Sequence, residues 1–225
     1  MTVAVLVITD GRTEYIGDTI ASFNAQVSGP IIERWMYDDS GDPAHRAWLT
    51  EQFPEFTLLW SRDGRQGFGG AIRFAWDHLR RHSTAAHIAH VEDDFVFTRP
   101  VDLTAMARLL DARPYIVQVA LRRQPWNEAE RTAGGVVECH PHEYDDRADG
   151  DLAWLEHNLY FTTNPSLYRR SLLDVESWPT GARSEGRYTA ALRARHPSWR
   201  FAYWGARDDG PWVTHIGNER IGVGY

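Results

Sequence analysis

Apolar residues in the first half of the chain alternate between short continuous runs and helical spacings. Residues 3–9 form an unbroken apolar run that ends in Thr9, the pattern of a strand buried on both faces of a parallel sheet. The next segment, residues 14–27, carries its apolar side chains on one side of a helix. The alternation continues with predicted strands at 31–37, 56–61, 86–91 and 115–121, and predicted helices at 43–53, 69–82 and 103–112. This order predicts an α/β fold with a mostly parallel, Rossmann-like sheet and helices on both faces.

The second half of the chain has a less regular pattern. We predict a strand at 134–139, helices at 164–175 and 186–195, and short strands at 199–204 and 212–216. Residues 140–151 are rich in His, Asp and Gly, and they predict a mobile loop. The 225 residues suit one domain. We divide it into a ligand-binding half, 1–121, and an irregular second half, 122–225.

Composition narrows the classes of function. The net charge is −7, so the chain has no overall positive field for nucleic acid. Cys139 is the single cysteine, which excludes internal disulfides and cysteine-rich zinc sites. The sequence contains no Lys, which excludes motifs that need one. The longest apolar run is too short to span a bilayer and lacks the flanks of a signal peptide, so we expect a soluble, cytoplasmic protein.

Polar and glycine-rich segments follow the first four predicted strands. They are Thr9-Asp10-Gly11-Arg12, the stretch from Asp38 to Asp42, the stretch from Arg62 to Gly70, and Glu92-Asp93-Asp94. Ligands of open parallel sheets bind beyond the carboxyl ends of the strands. The four segments therefore predict one shared binding crevice.

The acidic triplet Glu92-Asp93-Asp94 is the most specific of these segments. Three consecutive carboxylates at the end of a buried strand repel one another unless a cation neutralises them. Mg²⁺ and Mn²⁺ bind through one or two carboxylates together with substrate phosphates. We interpret the triplet as a metal site; the alternative is a solvated acidic turn.

The other segments offer groups for an anionic ligand. Gly67, Gly69 and Gly70 precede a helix and can bring its N–H groups close to a phosphate, although they also suit an ordinary flexible loop. Asp38 and Asp39 can bind a base or a ribose, or they can simply form a turn and a helix cap. Arg12 can pair with a diphosphate, or it can be a surface arginine.

These motifs resemble those of the GT-A glycosyltransferases, in particular family 2 and its rhamnosyltransferase-like branch. The opening T-D-G-R is similar to the family's first loop, and Y-D-D-S-G-D (37–42) is similar to the segment that holds the base. Q-G-F-G-G-A (66–71) resembles the glycine-rich loop, with Gln66 where Asn is usual. H-V-E-D-D-F-V-F-T-R-P (90–100) resembles the D-x-D metal segment, with Glu-Asp-Asp in place of Asp-x-Asp. The resemblance covers the first half of the chain closely.

The resemblance implies a GT-A fold and a metal-dependent transfer of sugar from a nucleotide diphosphate to an acceptor hydroxyl. It assigns Asp94 as the leading ligand of a Mn²⁺ or Mg²⁺ ion and Glu92 as the second. W-V-T-H-I-G (212–217) resembles the strand by which the family adds a histidine to the metal, here His215. The donor contacts that it implies are Thr9, Asp10, Arg12, Asp38, Asp39, Gly67, Gly69, Gly70, Glu92, Asp93 and Arg220, the last in a C-terminal flap.

F-T-T-N-P-S-L-Y-R-R (161–170) is similar to the family's short segment before the acceptor-side helix, with Arg169 and Arg170 in place but without the usual Gly. In inverting members of the family an acid near this place deprotonates the acceptor. Glu185 is our candidate for this base, with Asp174 and Glu176 as rivals; an acid in the first turn of a helix can also serve the helix alone. The acceptor can be a protein, a glycan or a modified DNA base, and small enzymes of this kind resemble those of phages. Two alternatives to a glycosyltransferase remain open: a non-catalytic carbohydrate- or nucleotide-binding module of the same fold, and a sugar nucleotidyltransferase.

Overall fold

The computed structural model describes residues 1–217. Its strands are β1 (Val3–Thr9), β2 (Val27–Ser28), β3 (Ile31–Asp38), β4 (Thr57–Leu59), β5 (His87–Glu92), β6 (Phe95–Phe97), β7 (Val101–Asp102), β8 (Ile116–Ala120), β9 (Tyr144–Asp149), β10 (Leu152–His157), β11 (Ser166–Arg169), β12 (Arg200–Trp204) and β13 (Val213–His215). The α-helices are α1 (Thr13–Gln26), α2 (Pro43–Gln52), α3 (Gly67–His82), α4 (Leu103–Ala112), α5 (Glu128–Ala133), α6 (Val136–Cys139) and α7 (Ser184–Arg195). Two short 3₁₀ helices span Pro141–Glu143 and Arg170–Asp174.

Nine strands form the central sheet of the described residues, in the order β4-β3-β1-β5-β11-β8-β12-β10-β9. β1 lies in the parallel half of this sheet, between β3 and β5. β11 and β10 run against the other seven strands. The prediction of a mostly parallel sheet in an α/β fold is therefore confirmed. Seven of the strands direct their carboxyl ends to the same edge, which is where the predicted crevice lies.

The core fills both faces of the sheet, as the continuous apolar run of β1 requires. Val3, Val5 and Val7 pack in one cluster with α1 and α4, whereas the even-numbered residues from Ala4 to Ile8 pack in a second cluster with α3. Burial of alternate residues on opposite faces follows from the two-residue period of a strand. No helix within residues 1–217 is long and apolar enough to cross a membrane.

Three segments differ from their predicted structure. Residues 134–139, predicted as a strand, contain the short helix α6. Residues 164–175, predicted as a helix, contain β11 followed by a 3₁₀ helix. β11 pairs with both β5 and β8, so pairing within the sheet overrides the local pattern. Residues 140–151, predicted as a loop, contain β9, which is an edge strand paired with β10. β9 is polar because all but its first residue are exposed, so its sequence shows no apolar alternation.

Candidate active site

Adjacent strands end together and bring the predicted acidic segments to one edge of the sheet. In the parallel register, Thr9 of β1 lies opposite Asp38 of β3, and Ile8 lies opposite Glu92 of β5. The pairing continues past the strand ends, since the backbone N–H of Asp93 donates to the Ile8 carbonyl at 3.0 Å. The predicted site segments that follow β1, β3 and β5 therefore lie side by side, because backbone pairing brings the ends of these strands together.

Arg12 is a buried cation at the centre of this edge, with 6% of its surface exposed. Its guanidinium donates to Asp10 at 2.8 Å, to Asp94 at 2.8 Å and also to Asp93. Burial acts to lower the pKa of Arg12, but the negative charges of Asp93, Asp94 and Asp10 raise it above its usual value. The arginine therefore remains charged and compensates the two buried aspartates of the triplet.

This arrangement corrects one premise of the sequence interpretation. We expected a metal ion to be the cation that relieves repulsion within the triplet, whereas Arg12 supplies part of that positive charge. Asp93 also accepts from the Thr9 hydroxyl at 2.8 Å and from the Asp10 N–H at 3.3 Å. Burial raises the pKa of Asp93 to about 7, although the charge of Arg12 acts to lower it. Thr9 and Asp93 thus bind each other, and their predicted contacts to a nucleotide sugar remain predictions.

Asp94 and His215 share one hydrogen bond although 121 positions separate them. Nε2 of His215 lies 3.0 Å from Oδ2 of Asp94. Burial would raise the pKa of Asp94, but the hydrogen bond and charge of His215, followed by those of Arg12, lower it below the usual range. Oδ1 of Asp94 is buried and has no hydrogen-bond partner among the described residues. One oxygen of this carboxylate is therefore fully engaged, and the other is left for a ligand.

Two residues that the sequence did not single out hold His215 and cover Asp94. The side-chain amide of Gln124 accepts from the His215 N–H at 2.8 Å and donates to its carbonyl at 2.8 Å. A Cβ on Gly217 would lie 2.2 Å from Oδ2 of Asp94, so only glycine fits at that position. Gly217 is the last residue of the W-V-T-H-I-G motif, so the sequence held a signal for it, whereas no sequence pattern marks Gln124.

Asp38 and Asp39 are both buried, and each holds a different loop. Asp38 accepts from the Ser40 N–H at 3.0 Å and lies 2.9 Å from Nδ1 of His45. Burial acts to raise the pKa of Asp38, but the hydrogen bonds from His45 and Ser40 lower it. Asp39 accepts from the Gln66 N–H at 2.7 Å, and burial raises its pKa. These aspartates form the turn foreseen in the alternative interpretation, and their contacts to a base or ribose remain predictions.

The glycine-rich segment forms the first turn of α3, which begins at Gly67. A Cβ on Gly69 would lie 2.8 Å from the carbonyl oxygen of Pro179, and one on Gly70 would lie 2.7 Å from the Gln66 side chain. The glycines therefore let α3 pack closely against the segment that leads into α7. Their predicted approach to a phosphate is a separate matter and remains a prediction.

A cavity of about 600 Å³ lies at the carboxyl edge of the sheet, and its lining includes Glu92, His215 and Glu185. Glu185 stands in the first turn of α7 and accepts from the Thr163 N–H at 2.9 Å. The rival acids do not line this cavity: Asp174 is exposed, and Glu176 pairs with Arg195 at 2.9 Å. Within the described residues, Glu185 is therefore the one of the three candidate bases that lines the same cavity as Glu92 and His215.

Metal-binding groups are sparse in the described part of the chain. No cluster of three or more His, Cys, Asp or Glu side chains is arranged there to hold an ion. Asp94 and His215 form a pair, and Glu92 lines the cavity next to His215. Arg220, predicted to contact the donor, lies outside the described residues.

Comparisons of sequence find no family model and no curated protein that matches this chain. Comparisons of structure find clear likenesses. The mannosyltransferase PcManGT from Pyrobaculum calidifontis, in complex with GDP-Man and Mn²⁺, matches with a TM-score of 0.62 and 17% identity over 97% of this chain and 57% of that chain. S. aureus TarS 1–349 in complex with UDP-GlcNAc matches with a TM-score of 0.60 and 14% identity over 98% of this chain and 62% of that chain.

A third solved structure, GalNAc-T7 with UDP, GalNAc and Mn²⁺, has a TM-score of 0.63 at 7% identity and covers 96% of this chain and 43% of that chain. The three structures are GT-A glycosyltransferases, and the likeness extends over nearly the whole chain. The chain therefore has the GT-A fold that its motifs implied. It spans between 43% and 62% of the length of these proteins.

We expect Arg12→Gln to lower the free energy of unfolding by about 3–5 kcal/mol, because it leaves buried carboxylates without their cation. Urea unfolding in EDTA measures this loss in the absence of divalent ions. Arg108→Gln is the matched control, since Arg108 pairs with Asp151 where both side chains are more than half exposed; it should leave the free energy of unfolding almost unchanged. Equal losses for the two variants would contradict a compensating role for Arg12.

Proposed function

We propose that this protein is a metal-dependent glycosyltransferase, which moves a sugar from a nucleotide diphosphate to an acceptor hydroxyl. The observation that carries the proposal is the Asp94–His215 pair, which adjoins a cavity that Glu92 and Glu185 also line. Such a reaction needs ligands for a cation that stabilises the leaving diphosphate, and an inverting reaction also needs a base for the acceptor hydroxyl. Both kinds of group are present at one edge of a GT-A sheet.

The side chains of Asp94 and His215 fit a Mn²⁺ or Mg²⁺ ion. Oδ1 of Asp94 is buried without a hydrogen-bond partner among residues 1–217, so its lone pairs are available. Nε2 of His215 lies 3.0 Å from Oδ2 of the same carboxylate, so an ion that displaced this hydrogen bond would have both side chains within reach. Imidazole suits Mn²⁺ better than Mg²⁺. We propose Asp94 and His215 as ligands; Glu92, which lines the adjoining cavity, stays a predicted ligand because it does not form a cluster of three with them in the described residues.

A divalent ion bound here supplies Lewis-acid stabilisation of the charge that develops on the leaving diphosphate. Arg12 orients the ligand set, because its guanidinium fixes Asp94 at 2.8 Å. Its permanent positive charge also favours an anionic ligand at this edge, and no lysine in the chain can take that part. We therefore keep Arg12 as a contact of the diphosphate.

The nucleoside is proposed to bind along the turn after β3 and the loop before α3. Asp39 joins these two segments through the Gln66 N–H, so they form one continuous wall beside Thr9 and Asp10. The solved relatives carry a guanine nucleotide sugar in one case and a uracil nucleotide sugar in another. For this chain the base and the sugar are to be identified by a screen of UDP-, GDP-, dTDP- and CDP-sugars.

Glu185 is proposed as the base that takes the proton of the acceptor hydroxyl. Its carboxylate is oriented by the Thr163 N–H at 2.9 Å and lines the same cavity as His215 and Glu92. A hydrogen bond from a backbone N–H stabilises the charged carboxylate, which is the form that a base requires. Thr163 belongs to the loop before β11, so this central strand positions the base.

We expect at least one of these nucleotide sugars to bind with Mn²⁺ and to raise the melting temperature, because a ligand of the native state stabilises it. Asp94→Asn should weaken the Mn²⁺-dependent binding by about tenfold or more, since it removes an anionic ligand of the ion. His215→Ala should do the same, and the double variant should lose little more, because both residues hold the same ion. Calorimetry with and without EDTA measures these affinities.

The control for this series is Asp111→Asn, which changes a half-exposed carboxylate bound to His87 and should leave nucleotide affinity unchanged. Equal nucleotide affinity in EDTA and in Mn²⁺ would contradict the metal assignment. Binding without transfer to any acceptor or water would favour the non-catalytic module, and formation of a nucleotide sugar from a nucleoside triphosphate and a sugar phosphate would favour the nucleotidyltransferase.

Glu185→Gln should reduce turnover by about 100-fold or more while leaving the affinity for the donor unchanged, because it removes a base and keeps the shape of the side chain. Glu176→Gln is the matched control, since Glu176 is a rival acid that pairs with Arg195 outside the cavity. Steady-state release of the nucleoside diphosphate measures both variants. A large loss in Glu176→Gln with normal turnover in Glu185→Gln would transfer the role of base to Glu176.

A further inference from the structure

The cavity beside His215 extends well beyond the proposed metal ligands. Its lining runs from Glu92 at the end of β5 to Tyr203 on β12. β11 and β8 lie between those strands, so the cavity crosses three strand intervals, about 14 Å. Its volume of about 600 Å³ falls within the range of small-molecule sites, roughly 300–1,000 Å³. The cavity therefore has room for a second ring beside the transferred sugar.

Aromatic side chains form much of the lining, namely Phe68, Phe95, Trp126, Tyr160, Phe161 and Tyr203. Trp126 differs from most of the others because 39% of it is exposed. Its ring lies against that of His215, with centroids 4.4 Å apart, and Phe95 stacks on His215 at 4.7 Å. The Arg123 guanidinium also lies 5.9 Å from the centroid of this indole. The exposed remainder of the ring is an apolar surface on which the C–H face of a sugar ring can pack.

The position of Trp126 is fixed without any ligand. Its backbone N–H donates to Oε2 of Glu130 at 2.8 Å, and Asn127 donates to the other oxygen of Glu130 at 3.0 Å. Arg123 binds the same carboxylate at 2.6 Å and 3.1 Å. Gln124, two residues earlier, is tied to the backbone of His215. Binding on this indole therefore requires little ordering of the protein, which favours affinity.

The charges of the lining discriminate between acceptors. Within the described residues, Arg123 and His215 are the basic side chains of the cavity, and they are bound to Glu130 and Asp94 respectively. Each is already paired with a carboxylate, which weakens its attraction for a phosphate or a carboxylate of an acceptor. Glu92 and Glu185 add acidic groups to the lining of the cavity, and these repel an anionic partner. The cavity is suited to an uncharged ligand with hydroxyl groups.

We propose that the acceptor is an uncharged sugar, which stacks on Trp126 in this cavity; this inference rests on the proposed function. The half-buried Tyr160 lies in the same lining; its hydroxyl is bonded to those of Tyr144 at 3.0 Å and Tyr203 at 3.1 Å, and it can exchange a further hydrogen bond with a hydroxyl of the sugar. Trp126 is a specificity-determining residue in this account. Among the acceptor classes considered, a neutral glycan is favoured over a modified DNA base, because Glu92 and Glu185 repel the phosphates that flank such a base.

Binding of acceptor analogues to the intact protein tests the proposal without turnover. The probes are methyl hexopyranosides, maltose and cellobiose, each followed by saturation-transfer NMR and calorimetry. Hexose 6-phosphates and a hydroxymethylcytosine oligonucleotide serve as the charged counterparts. We expect at least one neutral saccharide to bind, and to bind more tightly than the charged probes.

Trp126→Ala should weaken binding of that saccharide by about tenfold, and Trp126→Phe should restore most of the affinity, because phenylalanine keeps an aromatic face. Trp60→Ala is the matched control: Trp60 is 45% exposed and lies outside the cavity lining, so saccharide affinity should not change.

The inference is overturned if no neutral saccharide binds, if the charged probes bind as tightly, or if Trp126→Ala binds normally. Failure of the proposed function gives a different result. In that case saccharides bind through Trp126, but no nucleotide diphosphate sugar binds in the presence of Mn²⁺.

Discussion

The carboxylate of Asp94 is the point on which the candidate site depends. Its Oδ2 atom accepts from Arg12 at 2.8 Å and lies 3.0 Å from Nε2 of His215. These bonds join the loop after β1, the turn after β5 and the strand β13, which are far apart in the sequence. Removing one partner of a buried charge leaves the other uncompensated. The site therefore exists only when all three segments have folded together.

The carboxylate of Asp94 also explains how the positively charged Arg12 and the acidic triplet Glu92-Asp93-Asp94 share one site. Arg12 balances part of the negative charge at all times, and Oδ1 of Asp94 remains without a partner among the described residues. Under the proposed function, a divalent ion adds a second cation next to the guanidinium, and the two repel each other. A bound diphosphate offsets this repulsion, so the ion and the nucleotide stabilise one another. In the proposal, the aromatic cavity beyond His215 then receives a ligand that brings no charge of its own.

The sequence revealed those features that depend on local pattern. The apolar run of β1, the acid triplet after β5 and the apolar strand that carries His215 each have a signal within a few residues. The strand β11 did not, because its four residues form a strand only through pairing with β5 and β8, which are distant in the sequence. The role of Arg12 toward Asp93 and Asp94 was also hidden, since it joins residues more than 80 positions apart. Likewise, Gly69 was interpreted as a phosphate contact, although its close neighbour is the carbonyl of Pro179.

The most direct test of this account is a crystal structure with Mn²⁺ and the nucleoside diphosphate selected by the screen. Anomalous scattering of manganese locates the ion independently of the surrounding model. The account predicts the ion on the carboxylate of Asp94 and on Nε2 of His215, with the diphosphate bound to the same ion. An ion found away from these two side chains, or a bound nucleotide with no ion while His215 keeps its hydrogen bond to Asp94, would contradict it.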